Sequence, residues 1–189
     1  MKRILFPLLA GLGLLVAAAG RAGDAKNPHV VIDTSLGKIT VELFADKSPI
    51  TVKNFLKYVD DKFYDGTIFH RVIADFMIQG GGFEPGMKEK KTRDSIKNES
   101  MTNGLSNLRG TLAMARLPAP DTATAQFFIN TVDNKRLDGS NIKAGYAVFG
   151  KVVDGLDVVD KIRRVETTDA GPHEDVPAKD VVIRSIRRK

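Results

Sequence analysis

The stretch Phe69-His70-Arg71-Val72-Ile73-Ala74-Asp75-Phe76-Met77-Ile78-Gln79-Gly80-Gly81-Gly82-Phe83 carries most of the fold reading. Two short apolar runs, Ile68 to Ile73 and Phe76 to Gln79, flank a tight turn and end in three glycines, which predicts a strand pair. An arginine inside such a pair is costly to bury unless its charge has a task. In an ideal strand Arg71 and Ile73 share a face and His70 points away. Phe76 and Met77 follow just after the turn, so a guanidinium and an apolar pocket can adjoin. The pattern alone leaves two readings of Arg71 open: a group with a chemical role, or half of a structural ion pair with a carboxylate. Gly80-Gly81-Gly82 lacks the Lys-Ser/Thr ending and the following helix of a phosphate loop.

Upstream, Val30 to Thr34 and Lys38 to Phe44 read as strands around Ser35-Leu36-Gly37, with Ile39, Val41 and Leu43 on one face. Ser48-Pro49 opens a helix as hydroxyl cap and first-turn proline, and Val52, Phe55, Leu56 and Val59 form its apolar stripe. Downstream, a long polar stretch runs from Phe83 to about Arg109. Strands are expected at Thr111 to Arg116, Gln126 to Thr131 and Tyr146 to Val153, a helix capped by Asp154 through Ile162, and a last strand from Val181. Eight or so strands with only two helices argue for a mainly β chain, a closed eight-stranded antiparallel barrel capped by two α-helices. Periodicity by itself does not separate a barrel from a sandwich.

Composition narrows the chemistry. The 189 residues hold no cysteine, which removes disulfides, thiol nucleophiles and cysteine–zinc sites. Of three histidines, His29 stands at a strand edge, His173 in a Gly/Pro loop, and only His70 lies within a strand, where a core role is expected. No nucleophile–base constellation is legible, and neither a metal nor a cofactor is expected. Removing Lys2, Arg3 and Arg21 halves the net charge of +6 to +3. The remaining basic residues are spread out apart from the tail Arg184, Arg187, Arg188 and Lys189, so no nucleic-acid partner is expected.

The N-terminus has its own signature. Met1-Lys2-Arg3 is basic, Ile4 to Gly20 is uncharged, and small residues follow, the order of a secretory signal peptide. Pro7, Gly11 and Gly13 weaken the run as a membrane-spanning helix. The reading is a signal peptide over 1–19, with Ala17-x-Ala19 as the preferred cleavage site and Gly20-x-Ala22 as the alternative, a linker over 20–28 and one domain over 29–189. It implies a periplasmic protein without stable membrane association after cleavage; a monomer is expected.

The segment quoted first resembles the signature of the cyclophilin-type peptidyl-prolyl cis–trans isomerases, and further motifs fall in family order. They are Asn98-Glu99, Gly110 to Arg116, Ala125 to Asn130, Leu137-Asp138-Gly139 and Gly145 to Val152. The resemblance covers about residues 28 to 187 and is similar in detail to the exported bacterial branch. It implies rotation about X–Pro bonds in proline-containing polypeptides, in the service of folding exported proteins. Arg71 matches the catalytic arginine. Phe76, Met77, Phe128 and Leu137 match the proline pocket, and Gln79 matches the glutamine that orients the arginine. Ala115, Arg116 and Gln126 match the adjoining groove, with Tyr146 at the pocket rim. Two positions depart from many eukaryotic members: Arg136 stands for a tryptophan and Tyr146 for a histidine.

Overall fold

Val30, Ile32, Ile39, Val41 and Leu43 are completely buried while Val31, Lys38 and Glu42 are at least partly exposed, so the first two strands each present one apolar face to the core. These are β1 (His29–Thr34) and β2 (Gly37–Leu43), paired antiparallel in one hairpin. The computed structural model describes residues 27–189; the expected signal peptide and most of the linker lie outside the described residues.

The chain continues through α1 (Pro49–Asp60), β3 (Thr67–Ile73) and β4 (Met77–Gly80), then a two-strand flap of β5 (Phe83–Glu84) and β6 (Lys88–Glu89). It resumes with β7 (Thr111–Met114), β8 (Phe127–Asn130) and β9 (Val148–Asp154), α2 (Leu156–Ile162), a hairpin of β10 (Thr167–Ala170) and β11 (His173–Pro177), and β12 (Val182–Arg188). Eight strands close into a barrel in the order β1-β12-β3-β4-β8-β7-β9-β2, every pair antiparallel. Closure leaves the barrel without an exposed edge. Its interior is one apolar cluster. Phe55 of α1 inserts among Tyr64, Phe127 and Phe149 with ring centroids 5.3, 5.6 and 5.1 Å away. The two helices thus seal the core with Phe55 and with Val158, Val159 and Ile162.

Two helix starts differ from the sequence expectation. Ser48 precedes α1 but makes no side-chain cap; its hydroxyl donates to the Val148 carbonyl at 2.7 Å. The cap comes from Glu99, 48 residues beyond Thr51. Its buried carboxylate accepts the Ile50 and Thr51 amides at 3.1 and 2.8 Å and the Thr51 hydroxyl at 2.7 Å. A carboxylate there satisfies otherwise orphaned donors and meets the positive end of the helix dipole. Likewise Asp154 ends β9 and does not cap α2. The position before Leu156 is Gly155, at φ +86 in the left-handed region, where a Cβ would come within 2.3 Å of the Lys38 carbonyl oxygen. Only glycine combines that backbone with that approach.

The polar stretch from 83 to 109 is held by side-chain to backbone bonds more than by regular structure. Asn103 bonds Ser48 and the Val148 carbonyl, and Asn98 bonds the Gly145 carbonyl at 3.0 Å. These contacts fasten the long loop to the segment from Gly145 to Val148 that borders the cleft.

Candidate active site

The outward faces of β4, β8 and β7 carry a second, smaller apolar cluster. Met77, Ala113, Phe128 and Val148 are its buried floor, with Ile73, Phe76, Ala115, Leu137 and Tyr146 packed around them. An apolar patch outside a closed barrel has no core to join, so it becomes the base of a groove. Arg71, Phe76, Met77, Gln79, Ala115, Arg116, Gln126, Phe128, Leu137 and Tyr146 all line one cleft of about 480 Å³. The sequence names these ten from segments up to 75 residues apart; the barrel order brings them together.

Arg71 reaches the cleft because β3 is irregular. Phe69 pairs with Gly80 and Arg71 with Gln79, so β3 contains one residue more than β4 over this step, the mark of a β-bulge at His70. The bulge overturns the expectation that His70 points away from Arg71: both side chains line the cleft, while Phe69 and Val72 face the barrel core. His70 is 6% exposed, packs at a tilt against the Phe83 ring with centroids 4.6 Å apart, and its Nδ1 has no hydrogen-bond partner. Burial pushes its imidazole down to about 4, so it is neutral near pH 7. The expected core histidine is therefore buried but not satisfied.

Gln79, opposite Arg71 in the ladder, donates from Nε2 to Gln126 Oε1 at 2.9 Å. Gly82 makes room for this pair, since a Cβ there would come within 2.4 Å of the Gln126 side chain. The triple glycine is thus a packing feature at this end of the cleft. At the other end the Phe128 and Tyr146 rings meet edge to face at 5.7 Å, and the Arg136 guanidinium lies 4.8 Å above the Phe76 ring.

Arg116 works as a clamp. Its guanidinium donates to the carbonyls of Leu117, Pro118, Ala144 and Gly145, all at 2.9–3.0 Å, and lies 4.6 Å over the Tyr146 ring. One planar fork thus ties two irregular segments into a common wall. Behind the apolar floor, Asn134 donates to the Phe76 carbonyl at 2.7 Å and to Asn130, and Asn107 connects Asn130 to Asp138. Burial alone would raise the Asp138 carboxyl, but bonds from Ser106 and Asn107 hold it below the usual carboxylate range. This network sets Phe76 and the 3-10 turn carrying Leu137 at fixed positions.

Five cleft residues were not singled out from sequence for the site: His70, Phe83, Pro172, His173 and Glu174. The last three come from the β10–β11 hairpin, where the sequence predicts a Gly/Pro loop. Its only local signal is the Gly171-Pro172 pair; with one fully buried apolar residue, Val176, it shows no alternation to detect.

Residues 29–188 match the family described as cyclophilin type peptidyl-prolyl cis-trans isomerase/CLD. Peptidyl-prolyl cis-trans isomerase B of Escherichia coli is 59% identical over 160 residues, covering 83% of this chain and 97% of the relative. A peptidyl-prolyl cis-trans isomerase of Acinetobacter baylyi is 56% identical over 177 residues, 94% of this chain and 92% of the relative. Among solved structures, a cyclophilin type isomerase of Cryptosporidium parvum superposes with a TM-score of 0.71 at 28% identity, over 86% of this chain and 98% of that one. A second structure of it was determined in the presence of the dipeptide Ala-Pro. The chain belongs to the cyclophilin family and is a peptidyl-prolyl cis–trans isomerase.

Proposed function

We propose that the cleft is where isomerisation occurs, with Arg71 as the catalytic residue, and that the enzyme serves the folding of exported proteins. The observation that carries this reading is the juxtaposition of one half-exposed guanidinium with a groove floored by Met77 and Phe128. An X–Pro amide resists rotation because the nitrogen lone pair is delocalised into the carbonyl, with a barrier of about 18–20 kcal/mol. In the twisted transition state that delocalisation is lost and the nitrogen becomes an acceptor. A donor aimed at it binds the transition state better than either planar isomer, which is the condition for catalysis. Arg71 supplies a permanently charged donor.

Phe76, Met77, Phe128 and Leu137 receive the proline ring, an uncharged group suited to an apolar floor. Tyr146 closes its rim. Gln79, Gln126, Ala115 and the backbone at Arg116 hold the residue before proline. The ring stays fixed while the carbonyl side turns. Proline-containing polypeptides are the partners, as in the relative solved with Ala-Pro. No covalent intermediate is required.

Arg71→Lys separates charge from shape, because lysine keeps the cation but loses the planar fork. In a protease-coupled isomerisation assay kcat/KM should drop at least about tenfold. A lysine variant as active as the parent would mean that a positive charge anywhere in the cleft suffices.

Placement in the periplasm rests on the Met1-to-Gly23 leader. Protein released by osmotic shock should begin near Gly20 or Gly23 by N-terminal sequencing. Full-length chain retained in the membrane pellet would make the leader an anchor.

A further inference from the structure

The β10–β11 hairpin carries a charged group with no role in the reading above. Asp175 Oδ2 lies 3.6 Å from Arg71 Nε, and among the described residues no other carboxylate stands within 4.0 Å of that guanidinium. Asp175 has φ +60, a left-handed backbone that aspartate tolerates better than most side chains. Its neighbour Val176 is buried, so the strand is anchored one residue beyond the strained position. β11 packs along β3, which carries Arg71. Meanwhile Gln79, across the ladder from Arg71, is engaged with Gln126. The charged contact that restrains Arg71 thus comes from the hairpin.

We propose that Asp175 is a positioning residue for Arg71. The inference rests on the reading of Arg71 as the transition-state donor. A free arginine side chain samples many rotamers, and a carboxylate on Nε narrows them. It also engages the inner edge of the guanidinium, leaving the terminal nitrogens available to the substrate. The partial neutralisation suits a cleft that receives an uncharged imide. Both side chains are about 40% exposed, so water weakens the pair and the effect is modest.

The test is steady-state kinetics on Asp175→Ala, Asp175→Asn and Asp175→Glu, each in the parent and in the Arg71→Ala background. Circular dichroism checks the fold. Asp175→Ala should lower kcat about fivefold with KM changed less than about twofold, since the contact acts on the donor and not on substrate binding. Asp175→Asn, which tolerates the same left-handed backbone but lacks the charge, should lose as much as Asp175→Ala; parental kcat in the Asn variant would assign the alanine loss to the hairpin backbone and overturn the role of the charge. Asp175→Glu should recover part of the loss. In the Arg71→Ala background none of these changes should matter. Unchanged kcat, increased kcat, or equal losses in both backgrounds would each overturn the positioning role. An Arg71→Ala variant with parental activity would instead sink the reading of Arg71 itself.

Discussion

His70 and Arg71 are adjacent polar residues that face one cleft in opposite states. Arg71 is half exposed and charged; His70 is buried, neutral and unpartnered at Nδ1. The difference has a thermodynamic consequence. Burial depresses the His70 pKa to about 4 from an ordinary value near 6.5. Above pH 6.5 both folded and unfolded chains hold a neutral imidazole, and stability is independent of its titration. Between about 6.5 and 4 only the unfolded chain takes up the proton, so stability falls as pH falls and levels off below about 4. His70→Gln removes this dependence. From pH 7.5 to pH 5 the parent should lose about 2 kcal/mol more than the variant in urea unfolding. Parallel pH profiles would mean that His70 titrates normally in the folded protein.

Elements are placed here by groups distant in sequence. α1 starts at Ser48-Pro49 as the sequence indicates, yet its first amides are satisfied by Glu99. Glu99→Ala leaves the buried Thr51 amide and hydroxyl, and the part-buried Ile50 amide, without an acceptor, which should cost about 2–3 kcal/mol. Chemical denaturation measures it; a loss below about 0.5 kcal/mol would show that water substitutes freely. The same distinction governs what was legible. Apolar alternation marks β2, short apolar runs mark β1 and β3, and helical spacing marks α1, whose stripe packs into the core. Neither sequence-adjacent polar residue caps its helix: Glu99 caps α1 from 48 residues beyond Thr51, and α2 starts from left-handed Gly155 with no side-chain cap. The bulge at His70 was invisible because both residues of the pair it disrupts, Phe69 and Arg71, fit an unbroken strand. The hairpin holding Asp175 escaped because exposed two-stranded sheets lack the apolar pattern that marks a strand.

At the scale of the whole molecule, closure of the barrel is what periodicity could not establish. A sandwich and a barrel bury the same alternating faces, and the choice rests on the pairings of β1 with β12 and β2 with β9. The first joins the domain's first and last strands, the second closes the ring through β2, and β3, β4, β8 and β7 are left side by side with the cleft on their outer face. Residues from Arg71 to Tyr146 then stand on a fixed surface, braced by the Arg116 clamp and the asparagine network. Preorganisation of this kind lets one donor matter, because nothing has to reorganise as the amide twists. The most direct measurement is therefore kcat/KM of Arg71→Ala in the protease-coupled assay, with circular dichroism and thermal unfolding on the same sample. Removing one transition-state donor costs about 2.7–4 kcal/mol, so a folded variant should retain about 1% of parental activity or less. A folded variant with near-parental kcat/KM would contradict the mechanism and take Arg71 out of it.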